Sequence, residues 1–222
     1  MTSMKVILTG TTGMVGEGVL LECLDNPQVD QVLSVSRRSC GRTHAKLSEC
    51  LVPDFRDVSA VRERLRGYDA CFYCAGISSV GLTEEQYTTI TYETPLRFAE
   101  ALLALNPGMV FCHLSGASTD STEAGRMMWA RVKGRAENAL LRLPFKAVYN
   151  FRPGLMKPAA GQRNVKGVLK AVSVLYPVLR RLTTGLTMSE VGQAMIHAAA
   201  GGAPKGVLEA EDMQRLAARG VS

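Results

Sequence analysis

A short apolar run over residues 5–9 is followed at once by the segment Gly10-Thr11-Thr12-Gly13-Met14-Val15-Gly16, in which a helical pattern over residues 14–25 begins. In a strand–turn–helix unit of this kind, one glycine permits the tight turn and another lets the backbone approach a pyrophosphate. The last glycine allows the helix to pack closely on the strand. The helix N-terminus offers free N–H groups to phosphate oxygens. Three glycines alone also suit a plain tight turn, but this setting favours a dinucleotide-binding site.

Strand-like and helix-like patterns alternate along the first two thirds of the chain. Short apolar runs typical of buried strands lie at residues 5–9, 31–36, 50–52, 70–74, 109–114 and 145–151. Helical spacing lies at residues 14–25, 58–66, 84–105 and 123–142, with a disturbance expected near Pro95. This alternation predicts an α/β fold, a Rossmann doubly wound parallel sheet with helices on both faces.

The last third of the chain departs from this pattern. Residues 152–165 are rich in proline and glycine and are predicted to form a loop. Residues 168–182 are apolar; they suit a helix that caps the substrate cleft or a helix on a membrane surface, and Pro177 favours the first. A helix is expected over residues 189–200, with Ser189 as its N-cap.

Length and composition argue for one globular domain. We predict a single NAD(P)-binding domain over residues 1–222, in which residues 152–222 contribute the substrate-side loops and a small helical cap. The net charge of +6 suits an anionic ligand, but no run of basic residues or zinc-finger spacing accompanies it, so no nucleic-acid partner is expected. No apolar stretch reaches the ~18 residues that a membrane span needs.

The six cysteines are expected to be free. Cys71 and Cys74 form a CxxC, but their setting is strand-like, and strand residues three apart point to opposite faces. A metal or redox pair is therefore not expected there, and buried thiols are. Free thiols, with an N-terminal segment that lacks the apolar core of a signal peptide, give the expectation of a cytoplasmic location.

The end of the second strand bears on which dinucleotide is bound. NAD sites often place a carboxylate at this position to hold the ribose 2′-hydroxyl, whereas this chain has Ser36-Arg37-Arg38. Arginine can bind a 2′-phosphate through two hydrogen bonds, so NADPH is predicted over NADH. The alternative is that Arg37, Arg38 and Arg42 form only a solvated face, in which case NADH is also accepted.

Two further strand ends lie where ligands bind in open α/β sheets. Asp54-Phe55 follows the third strand, and Cys74-Ala75-Gly76 ends the fourth. Asp54 is placed to accept a hydrogen bond from the adenine amino group, although an aspartate in a turn needs no such role.

Several of these segments occur together in one known superfamily. They are the glycine turn, Asp54-Phe55, Cys74-Ala75-Gly76, Ser115 after the fifth strand, the helix segment Lys133-Gly134, and Arg152-Pro153-Gly154. With them the chain resembles an atypical short-chain dehydrogenase/reductase, of the NAD-dependent epimerase/dehydratase-like group that also contains the Tat-interacting-protein-type reductases. The resemblance covers essentially the whole chain and implies that these segments contact the cofactor.

The resemblance also implies a catalytic Ser–Tyr–Lys set. The tyrosine exchanges a proton with the substrate oxygen, the lysine lowers the tyrosine pKa and holds the nicotinamide ribose, and the serine orients the carbonyl. Ser115, or failing it Ser118, matches the serine, and Lys133 matches the lysine. Trp129 stands at the tyrosine position, four residues before Lys133 on the same helix face. An indole does not ionise, so Trp129 is not the proton donor.

Two functions remain open from the sequence. The first is an NADPH-dependent oxidoreductase or epimerase-like enzyme that acts on a small carbonyl substrate of unknown identity. Its proton donor would be one of His113, Tyr149, Tyr87, Tyr92 or a water held by Lys133. The second is a non-catalytic NADPH-binding sensor that kept the site and lost the chemistry. Retention of Lys133 and Ser115 favours the enzyme. Family members often pair through helices such as 84–105 and 123–142, so a homodimer is expected.

Overall fold

The computed structural model describes residues 3–165 and 185–220. The strands of these residues are β1 (Met4–Thr9), β2 (Val29–Ser36), β3 (Leu47–Leu51), β4 (Ala70–Tyr73), β5 (Val110–Leu114), β6 (Ala147–Arg152), β7 (Met156–Lys157), β8 (Leu186–Thr187) and β9 (Val207–Glu209). The α-helices are α1 (Met14–Asp25), α2 (Glu84–Thr88), α3 (Thr94–Leu105), α4 (Met128–Leu141), α5 (Met188–Gly201) and α6 (Ala210–Ala217). The predicted α/β class is confirmed.

Seven of the strands form one parallel sheet in the order β3-β2-β1-β4-β5-β6-β9. The strand order reverses between β1 and β4, so the connections after these two strands leave toward opposite faces of the sheet. In open α/β sheets, ligands bind in the crevice that this reversal opens at the carboxyl ends of the strands. The glycine turn after β1 and the strand end after β4 both lie at that crevice.

The sheet separates two apolar cores, and strand alternation assigns residues to each. On β4 and the residue after it, Phe72 and Cys74 belong to the core shared with α1, α5 and α6, while Cys71 and Tyr73 belong to the core shared with α3. The two cysteines therefore point to opposite faces, as the spacing predicts, and all six cysteines are free. Among residues 3–165 and 185–220 no cluster of side chains is suited to hold a metal ion.

Three predicted helices differ from the observed ones. The helix expected at 58–66 is a 3-10 helix over Ser59–Leu65. The helix expected at 84–105 is divided by a π-helix over Thr89–Glu93, and Pro95 lies in the first turn of α3, where its missing N–H is tolerated. The helix expected from residue 123 begins at Met128, because the carboxylate of Asp120 accepts hydrogen bonds from the N–H groups of Thr122 and Gly125 and holds the preceding residues in turns.

The C-terminal third contains strands that the sequence pattern did not separate from loop. β9 extends the main sheet beside β6, and β7 pairs with β8 in a small parallel ladder. The N-cap of α5 is Thr187, not Ser189: Thr187 and Glu190 form a reciprocal capping box, and Ser189 donates to Glu22 instead. The apolar segment 168–182, predicted to cap the cleft, lies outside the described residues. None of the described helices combines the length and the apolar character that crossing a bilayer requires.

Candidate active site

The backbone of the glycine turn packs tightly against itself and against the end of β4. Gly10 has φ +74°, and a Cβ there would lie 2.5 Å from the carbonyl oxygen of Cys74. A Cβ on Gly16 would lie 2.1 Å from the carbonyl oxygen of Gly10, so helix α1 starts directly against the turn. Gly13 occupies the N-cap of α1 without any side-chain cap, which leaves the first N–H groups of the helix for a ligand. The turn therefore has the geometry that a pyrophosphate needs.

The remaining residues of the turn support it from behind. Thr11 is buried and its hydroxyl bonds to that of Ser34 on β2 at 2.8 Å. Thr12 faces the crevice, and Val15 packs on the core beneath. The carbonyl of Met14 accepts a hydrogen bond from Gln162.

A cavity of about 150 Å³ lies between the glycine turn and the end of β2. Its lining residues are Gly10, Thr12, Gly13, Ser36, Arg37, Arg38, Phe55, Cys74, Ala75 and Gly76. Arg37 and Arg38 are exposed, and within the described part of the chain neither forms an ion pair. No carboxylate lines the cavity, so two guanidinium groups are free for an anion beside the turn. Arg42 is not part of this set, because its guanidinium binds Glu17 at 2.5 Å.

A second cavity, of about 310 Å³, continues from the first beyond Phe55. Phe55 is fixed edge-on against Phe98, with ring centroids 5.3 Å apart, and also contacts Tyr73. Asp54 lies at the wall of this cavity, where the Arg56 guanidinium holds its carboxylate at 2.8 Å and lowers its pKa. Asp54 is thus an ionised acceptor at the position expected for the adenine side, already shared with Arg56.

Across the crevice, Ser115 and Lys133 are brought together. Lys133 is half-buried on α4, and its Nζ would lie 3.2 Å from a Cβ on Gly116, the residue after Ser115. Ser115 is buried, its hydroxyl lies 3.2 Å from that of Thr119, and the Thr119 hydroxyl donates to the Gly116 carbonyl. The Ser115 hydroxyl is therefore the donor within that pair. Ser118, the alternative serine, is exposed in a left-handed conformation with φ +62°.

Trp129 lies half-buried in the first turn of α4, one helical turn before Lys133. Burial lowers the pKa of Lys133, and the carboxylate of Glu137, one turn further along, opposes that effect. Among the described residues the Lys133 ammonium has no hydrogen-bond or ion-pair partner. Its N–H groups are therefore available to a bound molecule.

The four side chains expected as replacement proton donors are engaged elsewhere. His113 is buried, its Nδ1 lies 2.9 Å from the Asn150 side-chain oxygen, and burial lowers its pKa to about 4. The Tyr149 hydroxyl accepts from the N–H of Ala203 at 3.1 Å. Tyr87 is 2% exposed. The ring of Tyr92 lies under the Arg135 guanidinium, 4.2 Å away, in a separate groove beside α3.

Arg152 serves the packing of α4 on the sheet. Its Nε and Nη2 bind the carboxylate of Glu137, which is fully buried, and Nη1 reaches Glu209 at 3.2 Å. The Pro153 carbonyl accepts a hydrogen bond from the N–H of Ala117, and Gly154 is exposed. The guanidinium of Arg152 is thus occupied, and a cofactor contact from this segment would come from its backbone.

Sequence reasoning missed two buried carboxylates at this site. Glu137 follows Lys133 by four residues, and that spacing could have placed it on the same helix face. Glu17 is 1% exposed and binds Arg42 and the backbone N–H groups of Arg163 and Asn164 at 2.7–3.0 Å. Its partners are far away in the sequence, so no local pattern could have indicated it. The contact fastens the loop at 159–164 over the start of α1.

Comparisons with known proteins agree with this geometry. Residues 6–126 match the model of the NAD dependent epimerase/dehydratase family. The chain is 31% identical over 171 residues to "Protein fmp52, mitochondrial" of Aspergillus fumigatus, covering 72% of this chain and 68% of that protein. It is 29% identical over 184 residues to the protein of the same name from Emericella nidulans, covering 78% and 74%.

Solved structures share the fold at low sequence identity. MoeE5 in complex with UDP-glucuronic acid and NAD superposes with a TM-score of 0.67 at 20% identity, over 92% of this chain and 75% of that one. The Bordetella bronchiseptica enzyme WbmF in complex with NAD+ gives 0.68 at 16% identity, over 97% and 77%. The Rossmann architecture predicted from the glycine turn is therefore confirmed.

The expected cytoplasmic location is contradicted by the curated relatives, which are named as mitochondrial proteins. The expectation relied on an N-terminal segment without the apolar core of a signal peptide and on free thiols. Such thiols are typical of a reducing compartment and do not distinguish one such compartment from another.

Proposed function

Since the chain belongs to the NAD dependent epimerase/dehydratase family, it is an NAD(P)-binding, epimerase-like enzyme, and we propose that it reduces a small carbonyl compound with NADPH. The observation that carries the proposal is the pair of unpaired arginines, Arg37 and Arg38, beside a glycine turn with no carboxylate in the cavity. NAD sites often place a carboxylate at this strand end, which supports the choice of NADPH.

The residues present fit a dinucleotide. The glycine turn is a cradle that a Cβ would fill, and the uncapped N-terminus of α1 points N–H groups into it. We assign the pyrophosphate to this turn, the 2′-phosphate to Arg37 and Arg38, and the adenine to the cavity at Asp54 and Phe55. When bound there, the dinucleotide supplies a hydride donor.

On the substrate side, Lys133 lies beside Gly116, the residue after Ser115, and we assign the nicotinamide to this end of the crevice. The Ser115 hydroxyl, which donates to Thr119, can turn to a carbonyl oxygen and orient it. The Lys133 ammonium has free N–H groups for ribose hydroxyls. Trp129 lies in the first turn of α4, one helical turn before Lys133, and we assign it the role of an apolar wall. Its indole does not ionise and therefore supplies no proton.

The test is a titration of the purified protein with NADPH and NADH. Trp129 is the only tryptophan and lies one helical turn before Lys133, so we use its emission as the probe of binding. Replacing Arg37 and Arg38 together by alanine should weaken NADPH binding about 100-fold, because two charge-assisted contacts are lost, and should leave NADH binding within about 3-fold.

The matched control is Arg62→Ala, which removes an exposed arginine from the 3-10 helix away from the glycine turn. It should leave both affinities unchanged. Equal affinity of the wild type for NADH and NADPH would contradict the NADPH assignment. A screen of carbonyl compounds on the same sample, followed by nucleotide absorbance, then identifies the substrate class.

A further inference from the structure

The indole at position 129 leaves the reduction of a carbonyl without the family's proton donor. A hydride that reaches the carbonyl carbon leaves negative charge on the oxygen, and a proton has to arrive there from a group within hydrogen-bond reach. The donor therefore has to lie near Ser115, carry a proton at working pH, and have an N–H or O–H that is not already engaged.

Each of the histidine and tyrosine candidates fails one of these conditions, through its position, its burial or its protonation state. His113 is 4% exposed, bonds to Asn150, and is neutral near pH 7. Tyr149 is bonded to the backbone beyond α5, and Tyr92 lies under Arg135 in the groove beside α3. Burial raises the pKa of Tyr87, which is almost wholly enclosed.

Lys133 meets the same conditions. Its Nζ lies beside Gly116, next to the serine that orients the oxygen, and no partner among the described residues holds it. Within the described part of the chain, Glu137 and His113 are the titratable groups that interact electrostatically with it. Glu137 follows it on α4 and is itself paired with Arg152 of β6, His113 faces it from β5, and Glu84 of α2 is occupied by Arg131.

We propose that Nζ of Lys133 is the general acid of this enzyme and gives its proton directly to the substrate oxygen that Ser115 orients. The assignment rests on the proposed reductase function. The N–H bond of the ammonium breaks and an O–H bond forms, as the nicotinamide hydride adds to the carbonyl carbon. The products are an alcohol, the oxidised nucleotide and a neutral amine, which regains its proton from solvent.

The burial of Lys133 suits this role because it makes the ammonium group a stronger acid. An ordinary lysine, with a pKa near ~10.4, is a poor acid at neutral pH, whereas burial in the crevice lowers the pKa of Lys133. Glu137 limits that decrease and keeps the group protonated before transfer.

The first readout needs no substrate. Competitive labelling of amines across a pH series, quantified by peptide mass spectrometry, gives the midpoint at which each lysine becomes reactive. Lys133 should become reactive at a lower pH than Lys146, which is exposed at the start of β6, and NADPH should protect Lys133 selectively. A Lys133 midpoint at or above that of Lys146 would overturn the assignment.

The second readout separates acid catalysis from ribose binding. Lys133→Arg keeps a cation that can hold ribose hydroxyls but does not release its proton. Turnover should fall at least ~100-fold, the lower range for general acid catalysis, while the NADPH Kd from Trp129 emission changes less than about 3-fold. The alkaline decline of wild-type turnover, which follows deprotonation of Lys133, should disappear. Lys146→Arg is the matched control and should change none of these.

The outcomes distinguish this assignment from the proposed function. If Lys133→Arg keeps wild-type turnover, or loses turnover only in proportion to nucleotide affinity, Lys133 is not the acid although the protein is a reductase. If the wild type binds neither nucleotide, the proposed function fails and the assignment fails with it.

Discussion

The glycine turn and the corner between β5 and α4 are built in different ways. The turn is built from backbone: Gly10 and Gly16 carry no side chain, and α1 begins without a side-chain cap, so its first N–H groups are open to phosphate oxygens. The corner uses side chains from distant segments, with Ser115 and Thr119 after β5 and Lys133 on α4. Backbone recognition tolerates few substitutions, whereas a side-chain constellation can lose one member and reassign its role. If Lys133 is the general acid, as we propose, the indole at position 129 is such a case.

The largest effect is expected from adding a single methyl group to the glycine turn. In Gly16→Ala the new Cβ would lie 2.1 Å from the Gly10 carbonyl oxygen, so the turn has to move away from α1. We expect NADPH binding to fall more than ~100-fold, since pyrophosphate contacts depend on this close approach. Fluorescence titration of the folded variant measures it, with circular dichroism to confirm folding.

Gly108→Ala is the matched control for that change. Its Cβ would meet no atom within 4 Å, so neither folding nor binding should respond. If Gly16→Ala binds NADPH normally, the turn is only a structural turn and the contrast with the catalytic corner is lost.

The corner between β5 and α4 should be sensitive to the loss of a buried charge without any change in side-chain size. Glu137→Gln leaves the size of the side chain unchanged but removes the buried carboxylate that binds Arg152. Breaking a buried pair costs about 3 kcal/mol, so the free energy of unfolding should fall by about that amount in urea titration. The midpoint for labelling of Lys133 should also fall, because Glu137 is the charge that raises the pKa of Lys133.

The control for this variant is an exposed pair. Glu63→Gln removes the ion-pair partner of Arg66, and both of these side chains are largely solvated. The free energy of unfolding should therefore fall by less than about 1 kcal/mol. If the pH midpoint for labelling of Lys133 is the same in Glu137→Gln as in the wild type, the Glu137 carboxylate does not influence the pKa of Lys133.

The same contrast explains how far the sequence could predict this molecule. The parallel sheet, the bounds of α1 and the glycine turn follow from local patterns, because each depends on residues adjacent in the chain. The pairing of Arg42 with Glu17, and of Arg152 with Glu137, depends on residues brought together only by the fold. Sequence therefore indicated arginines at both places and could not show that these two are occupied.

Trp129→Tyr is expected to change turnover the least, and it compares the two regions directly because turnover depends on the corner and nucleotide affinity on the glycine turn. It returns the family's tyrosine to the face of α4 that carries Lys133. If Lys133 already donates the proton, turnover should change less than about 10-fold, equivalent to about 1.4 kcal/mol in the barrier. Because this variant has no tryptophan, nucleotide affinity is measured by calorimetry, and it should stay within about 3-fold of wild type, since phosphate recognition lies in the turn.

A rise of ~100-fold or more in turnover for Trp129→Tyr would mean that the wild-type corner lacks an effective donor and that Lys133 only holds ribose. Trp129→Phe is the matched control, since it removes the indole without adding an acidic hydroxyl, and it should match Trp129→Tyr in turnover if Lys133 is the acid. A difference confined to the tyrosine variant would assign the gain to the phenol. Equal behaviour of the two variants is the result expected if Lys133 is the acid, and it would leave position 129 with a packing role, so that loss of the tyrosine need not have ended catalysis.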